Sequence, residues 1–329
     1  MRELKGIHHV TAITSDAKRI YDFFTDILGL RLVKRTVNQD DIETYHLFFA
    51  DDEGSPGTDM TFFDFPGAAA AVKGTDEISR TGFRVKDDQA LDYWKRRFDH
   101  YNIVYEETLL FGRKTIYFND FDHQDYAIVS DELSGGIEGG TPWKNGPVPD
   151  AYAITGLGPI FLTVRDPKRM EQSLTGHMGM RKVESDGALT LYEMGEGGNG
   201  GSVIVETDNE SPIARQGYGG VHHVAFRIED KPELFEWIDH LNSAGARHSG
   251  FVDRFYFKSL YTRLYPYILF EFATEGPGFI DDEETYETLG STLSLPPALR
   301  KHRKEVENFI KPLDIENPNQ KREKEWFDA

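Results

Sequence analysis

The sequence predicts an α+β protein of four βαβββ modules, paired into two cup-shaped mixed β-sheets with flanking helices. Three observations carry this reading. The octet Gly6-Ile-His-His-Val-Thr-Ala-Ile13 returns as Gly220-Val-His-His-Val-Ala-Phe-Arg227. Each octet is followed, at the same spacing, by an aspartate (Asp16 or Asp230) heading a helical pattern. The order strand, helix, three strands recurs four times in modules of roughly 50 to 60 residues. Each module's sheet has an apolar face that it cannot cover alone, so modules must pair, and pairing encloses a cavity.

Residues 6–13 alternate with period two and are rich in Ile, Val and Thr, which predicts a strand. Ser15 or Asp16 then caps a helix carrying Ile20, Phe23, Phe24, Ile27 and Leu28, and Gly29 ends it. Strands are expected at 31–37, 44–50 and 59–64. Module two repeats the order with a strand at 79–85, a helix at 88–101 and strands at 104–110, 114–119 and 126–130. A glycine- and proline-rich connector without periodicity follows. Module three has a strand at 160–164, a helix from about Asp166, and the echo Met178-Gly-Met-Arg-Lys-Val183 of Leu28-Gly-Leu-Arg-Leu-Val33. Its last strands fall at 189–194 and 202–206. Module four has a strand at 221–228, a helix at 231–244 and strands near 248–252, 257–263 and 268–273. Beyond Leu295, residues 298–310 predict one amphipathic helix, with Leu299, His302, Val306 and Phe309 on one side. A polar, loosely held tail is expected at 317–329.

Composition narrows the function. A net charge of −19 over 329 residues repels a nucleic-acid backbone. No apolar run reaches the ~20 residues of a membrane span, and Met1-Arg-Glu-Leu-Lys5 does not read as a secretion signal. The cytoplasm is the expected compartment, and a homo-oligomer is left open. With no cysteine, any metal must be held by His, Asp or Glu.

Strand parity puts His9 and Thr11 on one face, and His223 on the matching face of its own strand, with His8 and His222 turned to the opposite side. Glu271 sits in the apolar strand Tyr267-Ile-Leu-Phe-Glu-Phe-Ala273, where a lone carboxylate is costly unless paired or bound to a cation. Two imidazoles and one carboxylate suit Fe(II) with open positions, and Mn, Zn or Co accept the same donors. Module three has Gly158-Pro159 where the histidines would lie, and module two has Ala127 where Glu271 would lie. One site is therefore expected, and it joins the ends of the chain. Residues 1–75 pair with 210–290 (modules one and four), and residues 76–209, with the connector at 132–153, hold modules two and three. Residues 291–329 add the C-terminal helix and tail. The loop Asp120-Phe-Asp-His-Gln-Asp125 is read as a solvated acidic turn, with a second cation site as its competitor.

The repeated His-Val strand starts and Leu269-Phe-Glu-Phe-Ala-Thr-Glu-Gly-Pro-Gly-Phe279 resemble the vicinal oxygen chelate, or glyoxalase-like, superfamily over about residues 5–310. Within it the chain is most similar to hydroquinone-type ring-cleaving dioxygenases. The resemblance implies Fe(II) on His9, His223 and Glu271, an aromatic diol and O2 as reactants, and catalytic roles for His8, Thr11, His222, Arg254 and Tyr261. Arg254 and Tyr261 would stabilise negative charge on the reacting oxygen, and His8 or His222 would take a proton or orient the ligands. The chain departs from the family in Leu264-Tyr-Pro-Tyr267, where a glycine is usual. Two other readings compete: a glyoxalase-like lyase or isomerase, which needs a second carboxylate, and a metal-free protein that binds an aromatic toxin.

Overall fold

The computed structural model describes residues 3–281 and 283–327. Module one comprises β1 (Ile7–Ile13), α1 (Ala17–Asp22), β2 (Arg31–Asn38), β3 (Asp41–Ala50) and β4 (Asp59–Phe63). Module two comprises β5 (Glu77–Val85), α2 (Asp88–Tyr101), β6 (Tyr105–Leu110), β7 (Arg113–Asn119) and β8 (Asp125–Ser130). Module three is β9 (Ile154–Val164), α3 (Pro167–Glu171), β10 (Arg181–Asp186), β11 (Leu189–Glu193) and β12 (Ser202–Thr207). Module four is β13 (Gly220–Ile228), α4 (Lys231–Ser243), β14 (Val252–Asp253), β15 (Lys258–Tyr265) and β16 (Ile268–Thr274).

The repeated aspartate has a local cause. Asp16 accepts from the amides of Lys18 and Arg19, and Asp230 from that of Glu233, so each caps the helix behind a histidine strand. Asp87 and Asp166 do the same for α2 and α3. At the end of the first helix Gly29 takes φ +69°, and an added Cβ would meet Val148.

Two eight-stranded sheets result. The first runs β14-β15-β16-β13-β1-β4-β3-β2 and the second β10-β11-β12-β9-β5-β8-β7-β6. The first joins module four to module one through antiparallel β13 and β1, with Val10 opposite Val224 and Thr11 opposite His223. The second joins modules two and three through β5 and β9, with Thr81 opposite Ile160. Ends of the chain thus become neighbours in one sheet. One apolar core fills the space behind both sheets. Phe24 illustrates it, its ring meeting Phe49 and Phe62 of module one and Phe83 and Tyr126 of module two. A smaller cluster of Phe48, Ala225, Phe257, Phe279 and Leu289 lines the other face of the first sheet. That face carries the polar site.

The structure differs from expectation at the ends of modules three and four. β9 begins at Ile154, well before the predicted 160, because its glycines and Pro159 read as breakers although the strand lies mid-sheet between β5 and β12. The strand expected at 248–252 is reduced to β14 and a single bridge from His248 to Thr262. The C-terminal helix is broken into α5 (Pro297–Arg300) and α6 (Arg303–Phe309). Arg300 and Arg303 both reach Glu283, and the chain tightens between them. Val306 is buried, whereas His302 and Phe309 face solvent.

The tail, too, is held more firmly than its polarity suggests. Asn319 bonds the Leu289 carbonyl and Arg31, and Glu325 meets Arg97 at 2.6 Å. Phe327 packs on Tyr93. Arg97 is fully buried and also donates to the carbonyls of Asp26 and Ile27. Glu325→Ala strips the carboxylate from this guanidinium and is expected to cost about 1–3 kcal/mol. Thermal unfolding of the metal-free protein measures it, and an unchanged Tm would show the tail to be idle.

Candidate metal centre

Sheet register builds the site. His9 on β1 lies opposite Ala225 on β13, Ala225 opposite Glu271 on β16, and Glu271 opposite Tyr261 on β15. His223 sits two residue pairs along, opposite Thr11. Residues on these rungs share the pleat, so their side chains rise from one face. There the three expected ligands converge. His9 Nε2 and His223 Nε2 are 3.2 Å apart, and Glu271 Oε2 lies 3.2 Å from the first and 3.0 Å from the second.

These spacings fit a cation. Donors about 2.1 Å from one ion and at right angles around it lie about 3 Å apart, so the three atoms span one face of an octahedron. Glu271 is fully buried and its Oε2 makes no hydrogen bond, although both imidazoles are near. Its other oxygen accepts from Ser259 Oγ at 2.5 Å. Burial pushes the carboxyl up, but His9 and His223 outweigh it and hold Glu271 well below the usual range. A buried carboxylate with an unshared oxygen aimed at two imidazole nitrogens is a cradle for a metal ion. Among the described residues this is the one group of three or more such side chains that converges in this way.

The outer histidines sit behind the ligands. A register shift interrupts the β1–β13 pairing between Ile7 and His9, and the rings of His8 and His9 meet edge-on at 5.0 Å. His8 Nε2 lies 3.1 Å from the Thr274 carbonyl, which only accepts, so this nitrogen carries the proton. Burial lowers His8 to about 3, so the ring is neutral and its Nδ1 must accept. His9 Nδ1, 2.9 Å away, therefore donates, which leaves a bare lone pair on His9 Nε2 facing the site. His222 Nδ1 lies 2.8 Å from His223 Nδ1, and burial also lowers His222 to about 3. Parity alone turns both outer rings from the ligand face, but the His222 ring lines the cavity together with His9 and His223, whereas His8 does not reach it.

That cavity, about 290 Å³, is lined by two of the three donors, His9 and His223. Its size lies near the lower end of small-ligand sites, roughly 300–1,000 Å³. Arg254 and Tyr261 line it, as do Phe48 and Phe63, while Phe49 and Phe62 belong to the main core. Arg254 Nε donates to Tyr261 Oη at 3.0 Å, and its Nη2 meets Asp40 at 2.8 Å. Burial raises the Tyr261 hydroxyl above its ordinary range, so it stays neutral. Thr11 Oγ1 lies 3.1 Å from His223 Nε2 and 2.7 Å from Thr61 Oγ1.

Ser259, Thr61 and His46 were not singled out from the sequence. Ser259 is hidden by its ordinary residue type. Thr61 and His46 emerge only from the register of β3 on β4: His46 shares strand parity with Phe48, and Phe48 lies opposite Thr61. The acidic loop is also corrected. Asp120 is buried, accepting from Tyr126 Oη and the amides of Asp122 and Gln124, and Asp122 accepts from Thr14 and Ser15. The hydrogen bonds clasp module two to module one and leave no solvated acidic turn. In the hairpin between β15 and β16, Tyr267 takes φ +70°, the left-handed position expected of the missing glycine.

Two curled half-barrels with a His/His/Glu set on one of them define a class. The chain belongs to the Glyoxalase/Bleomycin resistance protein/Dioxygenase superfamily, whose model matches residues 6–123 and 156–276. Within it the chain stands with the ring-cleaving dioxygenases. It is 41% identical over 317 residues to the candidate ring-cleaving dioxygenase MhqA of Bacillus subtilis (strain 168), covering 94% of this chain and 99% of that protein. It is 28% identical to the chlorohydroquinone/hydroquinone 1,2-dioxygenase of Sphingobium indicum, covering 90% of this chain and 92% of that one. A crystal structure of a candidate dioxygenase from Bacillus subtilis superposes with a TM-score of 0.88 at 34% identity, covering 96% of this chain and all of that one. The chain is thus a dioxygenase by family, and a metal ion is implied. No helix among the described residues is long and apolar enough to cross a membrane.

Proposed function

We propose that the protein holds Fe(II) on His9, His223 and Glu271 and opens the ring of a hydroquinone- or catechol-type diol with O2. The observation that carries this is the convergence of three donors, two of which, His9 and His223, line a cavity walled by aromatic side chains. Zn, Mn or Co would sit on the same donors, so the choice of iron follows from the oxygen chemistry. When bound, Fe(II) would supply a Lewis-acidic, redox-active centre for the reaction of the diol with O2.

The chain's own residues supply the rest. Phe48, Phe63 and Phe257 exclude water and offer faces to an aromatic ring. Tyr261 donates its proton to negative charge on the reacting oxygen, and Arg254 holds that phenol in place while adding positive charge. Thr11 presents a hydroxyl beside His223 Nε2, where a substrate hydroxyl would enter. His8 fixes the tautomer of His9, and His222 makes the matching contact with His223. The reaction balances without a reductant, since both atoms of O2 enter the product as one ring C–C bond breaks.

A lyase or isomerase reading wants a second carboxylate facing Glu271. Symmetry within the first sheet puts Thr61 there: Thr61 stands opposite Thr11 as Glu271 stands opposite Ala225. A neutral hydroxyl leaves that side of the ion open, which supports oxygen chemistry. The metal-free reading is opposed by the unshared Glu271 oxygen.

The test is oxygen uptake with hydroquinone, methylhydroquinone and catechol after anaerobic ferrous loading. No uptake with any of them, from protein shown to contain iron, would sink the proposal. His8→Ala and His222→Ala are expected to weaken iron binding by roughly 10–100-fold. Competition against a calibrated chelator reads this, and affinities equal to wild type would remove the role of these contacts.

A further inference from the structure

Opposite the ligand histidines, a file of side chains leads away from the site. His46 Nε2 lies 2.9 Å from Thr61 Oγ1, Thr61 Oγ1 lies 2.7 Å from Thr11 Oγ1, and Thr11 Oγ1 lies 3.1 Å from His223 Nε2. Three strands supply it: β3 gives His46, β4 gives Thr61 and β1 gives Thr11. Both threonines are fully buried, and His46 lines the cavity between the rings of Phe48 and Phe63, at 4.0 and 4.4 Å. We infer that His46 is the proton store of this active site, receiving the proton of an entering ring hydroxyl through Thr11 and Thr61 and returning it to the product. The inference rests on the aromatic-diol reading.

The direction of the file follows from counting donors. Thr11 has one proton and two neighbours that can accept it, His223 Nε2 and Thr61 Oγ1. A metal ion on His223 takes the Nε2 lone pair, which leaves Thr61 as the acceptor. Thr61 then turns its own proton to His46 Nε2, and the Thr11 oxygen is free to accept from a hydroxyl arriving at the open face. The O–H bond of the substrate breaks, one proton shifts along each link, and an N–H bond forms on His46. On ring opening the steps reverse, so no proton is gained or lost overall.

The surroundings favour a short-lived store. Burial lowers His46 well below its ordinary value. His9 on β1, His223 on β13 and Arg254 ahead of β15 push the same way, and Glu271 on β16 opposes them. Asp40, at the cavity mouth, is spent on Arg254. The resting ring is thus neutral and able to accept, and a proton placed there is readily given back.

A zinc-loaded protein separates this inference from the oxygen chemistry, since zinc supports binding without turnover. Stopped-flow mixing with phenol times the ionisation of the ring hydroxyl through the ultraviolet absorbance of the phenolate. Ionisation should be fast in wild type and Thr61→Ser, and slower by at least about 10-fold in Thr61→Val and His46→Gln. In the iron enzyme both blocked variants should lose about 10²-fold in kcat with KM little changed, and the loss should shrink as pH rises. Equal ionisation rates in wild type and both blocked variants overturn the file while leaving the proposed function standing. Failure of the wild-type zinc form to bind phenol overturns the aromatic-diol reading and the file with it.

Discussion

Glu271→Ala is expected to abolish iron retention and oxygen uptake together. The carboxylate is the only anionic donor on the three-atom face, and its Oε2 has no other hydrogen-bond partner. Its loss leaves two neutral imidazoles, so the affinity should fall by more than the roughly 10–100-fold that removing an outer partner costs. The fold should tolerate the change. A buried charge that needs a cation is a burden on the metal-free protein, so the Tm without metal is expected to hold or rise. Iron content after gel filtration, set beside Tm, separates the two effects. A variant that keeps stoichiometric iron would remove Glu271 from the ligand set.

Thr61→Glu should do the opposite to the metal and the same to the chemistry. Register places this side chain across the site from Glu271, so a glutamate there becomes a fourth protein donor. Metal binding should tighten, while oxygen uptake falls by at least about 10²-fold because an open position is filled. Thr61→Gln controls for size without adding charge. Uptake within a few-fold of wild type, from protein that binds metal more tightly, would show that the face opposite Glu271 takes no part in the reaction.

Much of this was legible because the fold repeats. Duplicated His-His strands, the aspartates that follow them at one spacing and a strand–helix–strand order repeated four times gave the module count, and a carboxylate in an apolar strand brought the ends of the chain together. The ligand triad followed, since a strand's period of two says which His of each pair shares a face with its neighbours. What stayed hidden depends on registers between strands far apart in sequence. Comparing modules in sequence set Ala127 against Glu271, but Ala127 belongs to the other sheet, and Thr61 is the residue that faces the site. His46 and Ser259 are common residues whose importance comes only from what lies 2.9 Å or 2.5 Å away. The tail looked loose because its anchors, Arg97 and Asn145, lie far upstream and are visible only in three dimensions.

The central claim is that this site inserts O2 into an aromatic ring. Anaerobically iron-loaded protein, mixed with hydroquinone under 18O2, tests it by mass spectrometry of the product. The structure predicts a ring-opened acid carrying both labelled atoms, with one O2 consumed per ring. Unlabelled benzoquinone, formed with release of hydrogen peroxide, would contradict it.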